Sequence, residues 1–181
     1  MSRKTRRRKN AIQIVSLIAA VVIVIVCSVL FQNWWNNRPG PDPREVTITV
    51  TAGEHTQEFK PYSLCEPGVP CEESTVTTLD PAIVESAEQL EISVPKEIYD
   101  HDWSLLAIYD NPAANDEFYY GPYEKQTASV PLSVDPVSKE SADRPKLIVA
   151  EIKSVMIGPD KAGNETPYTV TWSIAAEKPR N

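Results

Sequence analysis

His55 and His101 are the only histidines in the 181-residue chain, and so the only side chains whose ordinary titration centres near neutral pH. His101 lies between Asp100 and Asp102, directly before Trp103, in the densest titratable cluster of the sequence. Metal binding is the sharp reading of that cluster, but adjacent residues in a turn point apart, so a solvated loop is the expectation. A Ser/His/Asp hydrolase built from distant segments stays open as an alternative, because such a site needs no local signature. Only six glycines occur, and neither the nucleophile elbow G-x-S-x-G nor a phosphate-cradling glycine loop is among them, which removes support for typical serine hydrolases and nucleotide enzymes. Asp160, Asn164 and Glu165, after Gly158-Pro159, resemble a calcium loop only loosely.

Cys65 and Cys71 flank Pro67, Gly68 and Pro70, residues suited to a turn that brings the chain back. Zinc would require a second ligand pair, and a redox pair would more typically be C-x-x-C, so a local disulfide is the reading. Closing so short a loop contributes about 2 kcal/mol. Phe118, Tyr119, Tyr120 and Tyr123 surround Gly121-Pro122, and exposed rings there suit the grip of a glycan or a protein partner. The plainer reading of the same residues is an edge strand with half its rings in the core. Trp103 and Trp172 are expected in the core.

The elements that hold these residues must be strands. All 16 prolines lie at or beyond residue 39, leaving few intervals long enough for an ordinary helix. Val46, Ile48 and Val50 alternate with Thr47, Thr49 and Thr51, the period of a half-buried strand. Leu90, Ile92 and Val94 repeat it, as do Ala128, Val130, Leu132 and Val134, where Pro131 requires an edge or a bulge. Tyr168, Val170, Trp172 and Ile174 alternate most clearly. Residues 103–109 and 147–152 are apolar on both faces and read as central strands. Shorter candidates near 56–64, 74–79 and 116–123 bring the count to seven to nine. Asp80 followed by Pro81 suits the cap and first position of a short helix over 82–89. The class expected is an all-β domain, an immunoglobulin-like antiparallel β-sandwich, preceded by a single N-terminal transmembrane helix.

That helix is read from residues 11–31, which carry no charge and contain the run Val21 to Val26. A helix of this length spans roughly 31 Å, the thickness of a hydrocarbon core. Arg3, Lys4, Arg6, Arg7, Arg8 and Lys9 precede it and should stay in the cytoplasm, while Trp34 and Trp35 fall at the opposite membrane interface. A cleaved signal peptide would have a shorter apolar run and a small-x-small site. Lipidation of Cys27 would want a small residue where Val26 stands, so a plain apolar position is preferred. Ser16 and Ala20 stand four apart, a weak small-xxx-small signal for pairing with another helix. Setting aside the six basic residues of the head leaves twelve Lys and Arg against 25 Asp and Glu, a net of −13 for the remainder. A domain that acidic repels nucleic acid, and none is expected as a partner.

Expected boundaries are a basic cytoplasmic tail at 1–10, the transmembrane helix at 11–31, a Pro-rich linker at 32–44, the sandwich at 45–176 and a tail at 177–181. The linker's Pro39, Pro41 and Pro43 favour extended backbone that holds the domain off the bilayer.

Leu90-Glu-Ile-Ser-Val-Pro95, Ile98 and Trp103-Ser-Leu-Leu-Ala-Ile-Tyr109, with Tyr62-Ser-Leu-Cys65 and Cys71 upstream, resemble an uncharacterised actinobacterial family, domain of unknown function 2771. The resemblance spans roughly residues 45–176 and implies an envelope protein of a mycolate-type actinobacterium. It supplies no activity and no site residues. Where relatives are lipoproteins, Val26 before Cys27 departs from their pattern. The function expected is therefore a plasma-membrane-anchored, non-enzymatic binding or accessory module of the cell envelope, without a cofactor or a metal. Its partners would be membrane lipid through 11–31 and an envelope protein or glycan. An envelope hydrolase and an acidic cation-binding domain are the alternatives.

Overall fold

The computed structural model describes residues 3–36, 41–138 and 142–176, with side chains for 15–34, for 41–138 except 86, and for 142–176. The chain divides into two compact units, Met1–Pro39 and Gly40–Asn181. The described residues of the first form one helix, α1 (Arg3–Asn36). Its stretch Val15–Trp34 has a mean hydropathy of 2.8 and is exposed throughout, so it has no polar face to turn to water. By length and composition it suits a membrane anchor or a signal sequence. The helix starts within the basic head and runs on through 32–36, the first residues of the expected linker. Residues 37–40 of that linker and the tail 177–181 lie outside the described residues.

The second unit opens with a 3-10 turn, Pro43–Glu45, capped by the Asp42 carboxylate accepting from the Arg44 amide at 3.0 Å. Pro43 is buried, so this end of the expected linker belongs to the domain. Among the described residues eleven strands follow, two more than the upper expectation: β1 (Ile48–Ala52), β2 (His55–Phe59), β3 (Ser63–Cys65), β4 (Glu72–Glu73), β5 (Thr77–Thr78), β6 (Gln89–Ser93), β7 (Trp103–Tyr109), β8 (Asp116–Tyr120), β9 (Thr127–Pro131), β10 (Leu147–Pro159) and β11 (Glu165–Ala175). The excess has a local cause. Buried Pro61 splits the candidate at 56–64 into β2 and β3, the candidate at 74–79 shrinks to the two-residue β5, and the two-residue β4 is added just before it.

Two sheets form. The smaller has the order β2-β1-β6-β9, and the larger the order β4-β3-β11-β10-β7-β8, with β5 against the end of β11. Every pairing is antiparallel except the two-residue β5–β11 contact. Alternation sends Ile48, Val50, Leu90, Ile92, Ala128 and Val130 of one sheet toward Leu105, Ile152, Val170, Trp172 and Ile174 of the other, and all are buried. This is the expected β-sandwich, consistent with an immunoglobulin-like arrangement, and Trp103 and Trp172 both lie in its core. Pro131 ends β9, an edge strand that can spare an amide. Residues 103–109 and 147–152 do fall on inner strands of the larger sheet. Their second faces, however, are only half-covered, as at Leu106, Ile108 and Val149.

Helix α2 (Pro81–Ser86) starts where Asp80 and Pro81 place it, with the Asp80 carboxylate accepting from the Ala82 amide at 2.9 Å, but it ends short of the expected residue 89, because Gln89 already begins β6. It buries Ile83. A second short helix, α3 (Lys96–Tyr99), was not expected; Pro95 precedes it without a side-chain cap, and buried Ile98 holds it. The sheets are tied by the Tyr109 hydroxyl donating to the Pro131 carbonyl at 3.0 Å, from β7 to β9. The two ends of the domain are tied by the buried Trp172 indole N–H donating to the Val46 carbonyl at 2.9 Å.

Candidate functional site

Strand β8 is one of the two edge strands of the larger sheet, and alternation divides its aromatic residues. Phe118 pairs with Leu105 and Tyr120 with Trp103, on the side of the core, whereas Tyr119 pairs with Ser104 and faces outward. The Tyr120 and Trp103 ring centroids are 4.4 Å apart, and burial, helped by the charges of Glu124 and Asp116, pushes the Tyr120 phenol up. Tyr123 lies in the following turn with a φ of 59°, in the left-handed region. Its amide donates to the Tyr99 carbonyl at 2.7 Å, and the two rings meet edge to face at 6.0 Å. The four rings grouped in the sequence therefore do not form one surface. Tyr119, 72 % exposed, stands on the outer face of the sheet.

Beside Tyr119 that face sinks into an open hollow of about 350 Å³, lined among others by Asp102, Ser104, Lys153, Val155 and Thr169. Register explains it. Tyr119, Ser104, Lys153 and Thr171 stand in one row across β8, β7, β10 and β11, with Val155 and Thr169 in a neighbouring row. The short Ser104 side chain between two long ones leaves the space. Lys153 is held by Glu151, 3.3 Å away, and Glu117 hydrogen-bonds the Tyr119 hydroxyl, holding that phenol above its ordinary range. Val155 and Ile157 are both more than half exposed, so the outer surface here is apolar as well as polar.

A second hollow, of about 270 Å³, lies where the domain begins, among Arg44, Val69, Glu72, Lys161 and Tyr168. Its two cations are matched by a carboxylate. Arg44 reaches Glu72 at 3.3 Å and lies 5.3 Å above the Tyr168 ring, and Lys161 is 3.6 Å from Glu72. Gly158 supports this clamp, since a Cβ there would overlap the ring of Pro43.

The remaining candidates lie apart. Cys65 and Cys71 are joined by a disulfide that closes the β3–β4 hairpin. Cys27 is a free, exposed thiol on α1. Trp34 is exposed, with its ring 6.0 Å from that of Phe31, and the side chain of Trp35 is outside the described residues. His55 is exposed on the β1–β2 hairpin. His101 is 57 % exposed and its Nε2 lies 3.5 Å from Asp100 Oδ1. The Asp160 carboxylate is occupied by its own turn, accepting from the amides of Ala162 and Asn164 at 2.7 and 2.8 Å, and the Asn164 bonds chiefly lower its pKa. Among the described residues no three His, Cys, Asp or Glu side chains converge as a metal site.

Ser104, Lys153, Val155 and Thr169 were not singled out in the sequence. They are 65 residues apart from first to last, and only strand register brings them together.

Fold and surface define a β-sandwich domain carried behind one long apolar helix, with a ligand-sized hollow on the outward face of its larger sheet. The sequence model of the family described as "Protein of unknown function (DUF2771)" matches residues 41–177, and the chain belongs to that family. No curated protein and no solved structure matches it.

Proposed function

We propose that the protein is a non-enzymatic binding or accessory module of the cell envelope, of actinobacterial type as the sequence resemblance implies. Residues 11–31 anchor it in the plasma membrane, with the basic head in the cytoplasm and the sandwich outside. The anchor reading is supported by an apolar helix exposed on every described side chain, and the orientation by the arginines and lysines at its start. A formed disulfide fits an oxidising compartment.

The observation that carries the binding reading is the hollow beside Tyr119. The inner face of the larger sheet is used up by the core, yet its outer face keeps exposed Tyr119 and Val155 at a concavity, with exposed Ile157 further along β10. The partner bound there is an envelope protein or a glycan. Nucleic acid is disfavoured by the domain's net negative charge.

The test places a photo-reactive residue at Val155, in otherwise native full-length protein in intact cells, with Thr56 on β2 as the control position. Crosslinks specific to position 155 and weakened by Tyr119→Ala are expected. Equal adducts at both positions, or none at 155, would remove the binding face. External protease should digest residues 45–181 once outer envelope layers are permeabilised, and protection would overturn the orientation.

A further inference from the structure

We infer that the hollow beside Tyr119 is a saccharide subsite, and that its occupant is an uncharged sugar ring within a longer glycan. The inference rests on the reading of this outer face as the binding face, and names the chemistry it takes.

A sugar ring has two kinds of surface: a face of C–H groups, and a rim of hydroxyls that each donate and accept. The hollow offers a counterpart to both. Tyr119 presents an exposed ring at the edge of the hollow, a wall on which a C–H face can lie. Val155 extends the apolar surface. Ser104 and Thr169 supply hydroxyls, Asp102 a carboxylate acceptor and Lys153 an ammonium donor.

Charge selects among polar ligands. Lys153, the cation of the hollow, is matched by Glu151, while Asp102 and Glu117 add negative charge beside it. With the chain beyond its basic head at −13, an anionic ligand such as a phosphate, a nucleotide or a uronate meets repulsion, and an uncharged polyol does not.

Geometry selects against an extended peptide. A peptide strand binds through backbone hydrogen bonds at a sheet edge, whereas the floor of this hollow is the face of β7 and β10, whose backbone groups are paired on both sides, and only its rim at Tyr119 and Tyr120 belongs to the edge strand β8. At about 350 Å³ and wide open, the hollow is at the small end of ligand sites, suited to one portion of a chain that continues over the surface.

The experiment uses full-length protein in detergent micelles on three arrays: uncharged oligosaccharides, uronate-containing oligosaccharides, and peptides. Binding to uncharged oligosaccharides is expected, weakened about tenfold by Tyr119→Ala and little changed by Tyr119→Phe, which keeps the ring. Equal melting temperatures would verify that the variants are folded. Binding confined to uronates or peptides, or uncharged-sugar binding indifferent to Tyr119→Ala, overturns the inference. Failure of the sugar class is distinguishable from failure of the binding face. Crosslinks from position 155 that depend on Tyr119, with no uncharged oligosaccharide bound, sink the first alone; absence of those crosslinks sinks both.

Discussion

The indole N–H of Trp172 donates to the carbonyl of Val46 at 2.9 Å, a buried bond between residues 126 positions apart. It joins the last strand to the point where the chain enters the sandwich, and it satisfies a carbonyl that water does not reach. Trp172→Phe removes the donor and leaves a void, so it should cost about 2–4 kcal/mol. The urea midpoint should fall, and amide exchange around residues 46–48 should accelerate. An unchanged midpoint would show that the bond is not a determinant of stability.

Gly158 lies against the Pro43 ring, where a methyl group has no room. Gly158→Ala should displace the 3-10 turn and cost about 1–3 kcal/mol. Pro43→Ala frees the space, so the double variant should lose less than the two single losses combined. Strict additivity of the melting shifts would show that the two residues do not interact.

Reduction of Cys65–Cys71 opens a loop of sequence separation six and should lower stability by about 2 kcal/mol. Cys65→Ser with Cys71→Ser should match the reduced protein and be insensitive to reductant. Because Tyr119 lies on the far edge of the same sheet, partner crosslinking should survive the change.

Burial, with the charge of Asp116, pushes the Tyr109 phenol up, and its hydroxyl donates to Pro131 across the two sheets. The folded state thus holds the proton more tightly than the unfolded chain. The associated stability is whole below the unfolded value of about 10 and falls as pH rises toward the higher folded value. Tyr109→Phe should cost about 1 kcal/mol at neutral pH and flatten the alkaline limb of the stability curve. An identical alkaline limb in the variant would assign that titration to another group.

Much of the sandwich was legible because one-sided burial writes itself as alternation, as at Ile48 and Val50 or Val170 and Trp172. The cap of α2 was legible because Asp80 and Pro81 act within one turn. The outer half of β10 was not. There Ser154 and Gly158 face inward while Val155 and Ile157 face out, which inverts the usual pattern. Helix α3 was hidden as well, since its four residues follow an uncapped Pro95 and are fixed by the tertiary burial of Ile98.

The candidate surface was legible only in part. The cluster at 118–123 pointed to Tyr119, but strand period sends its neighbours the other way. Ser104, Lys153 and Thr169 carry no local signal, because a hollow between strands is a property of their register.

The order in which the ribosome makes this chain runs against the order of its sheet. β10 and β11 are made last, yet they occupy the middle of the larger sheet, between β7 and β3. Until both have emerged, β3 and β7 lack their central neighbours and Val46 lacks its indole donor. The nascent domain therefore spends nearly its whole synthesis with unpaired strand edges, the condition under which chains associate wrongly and depend on chaperones. A chain cut short before Ala175 leaves the sandwich without its closing strand, so truncation products should be cleared and not retained as partial folds.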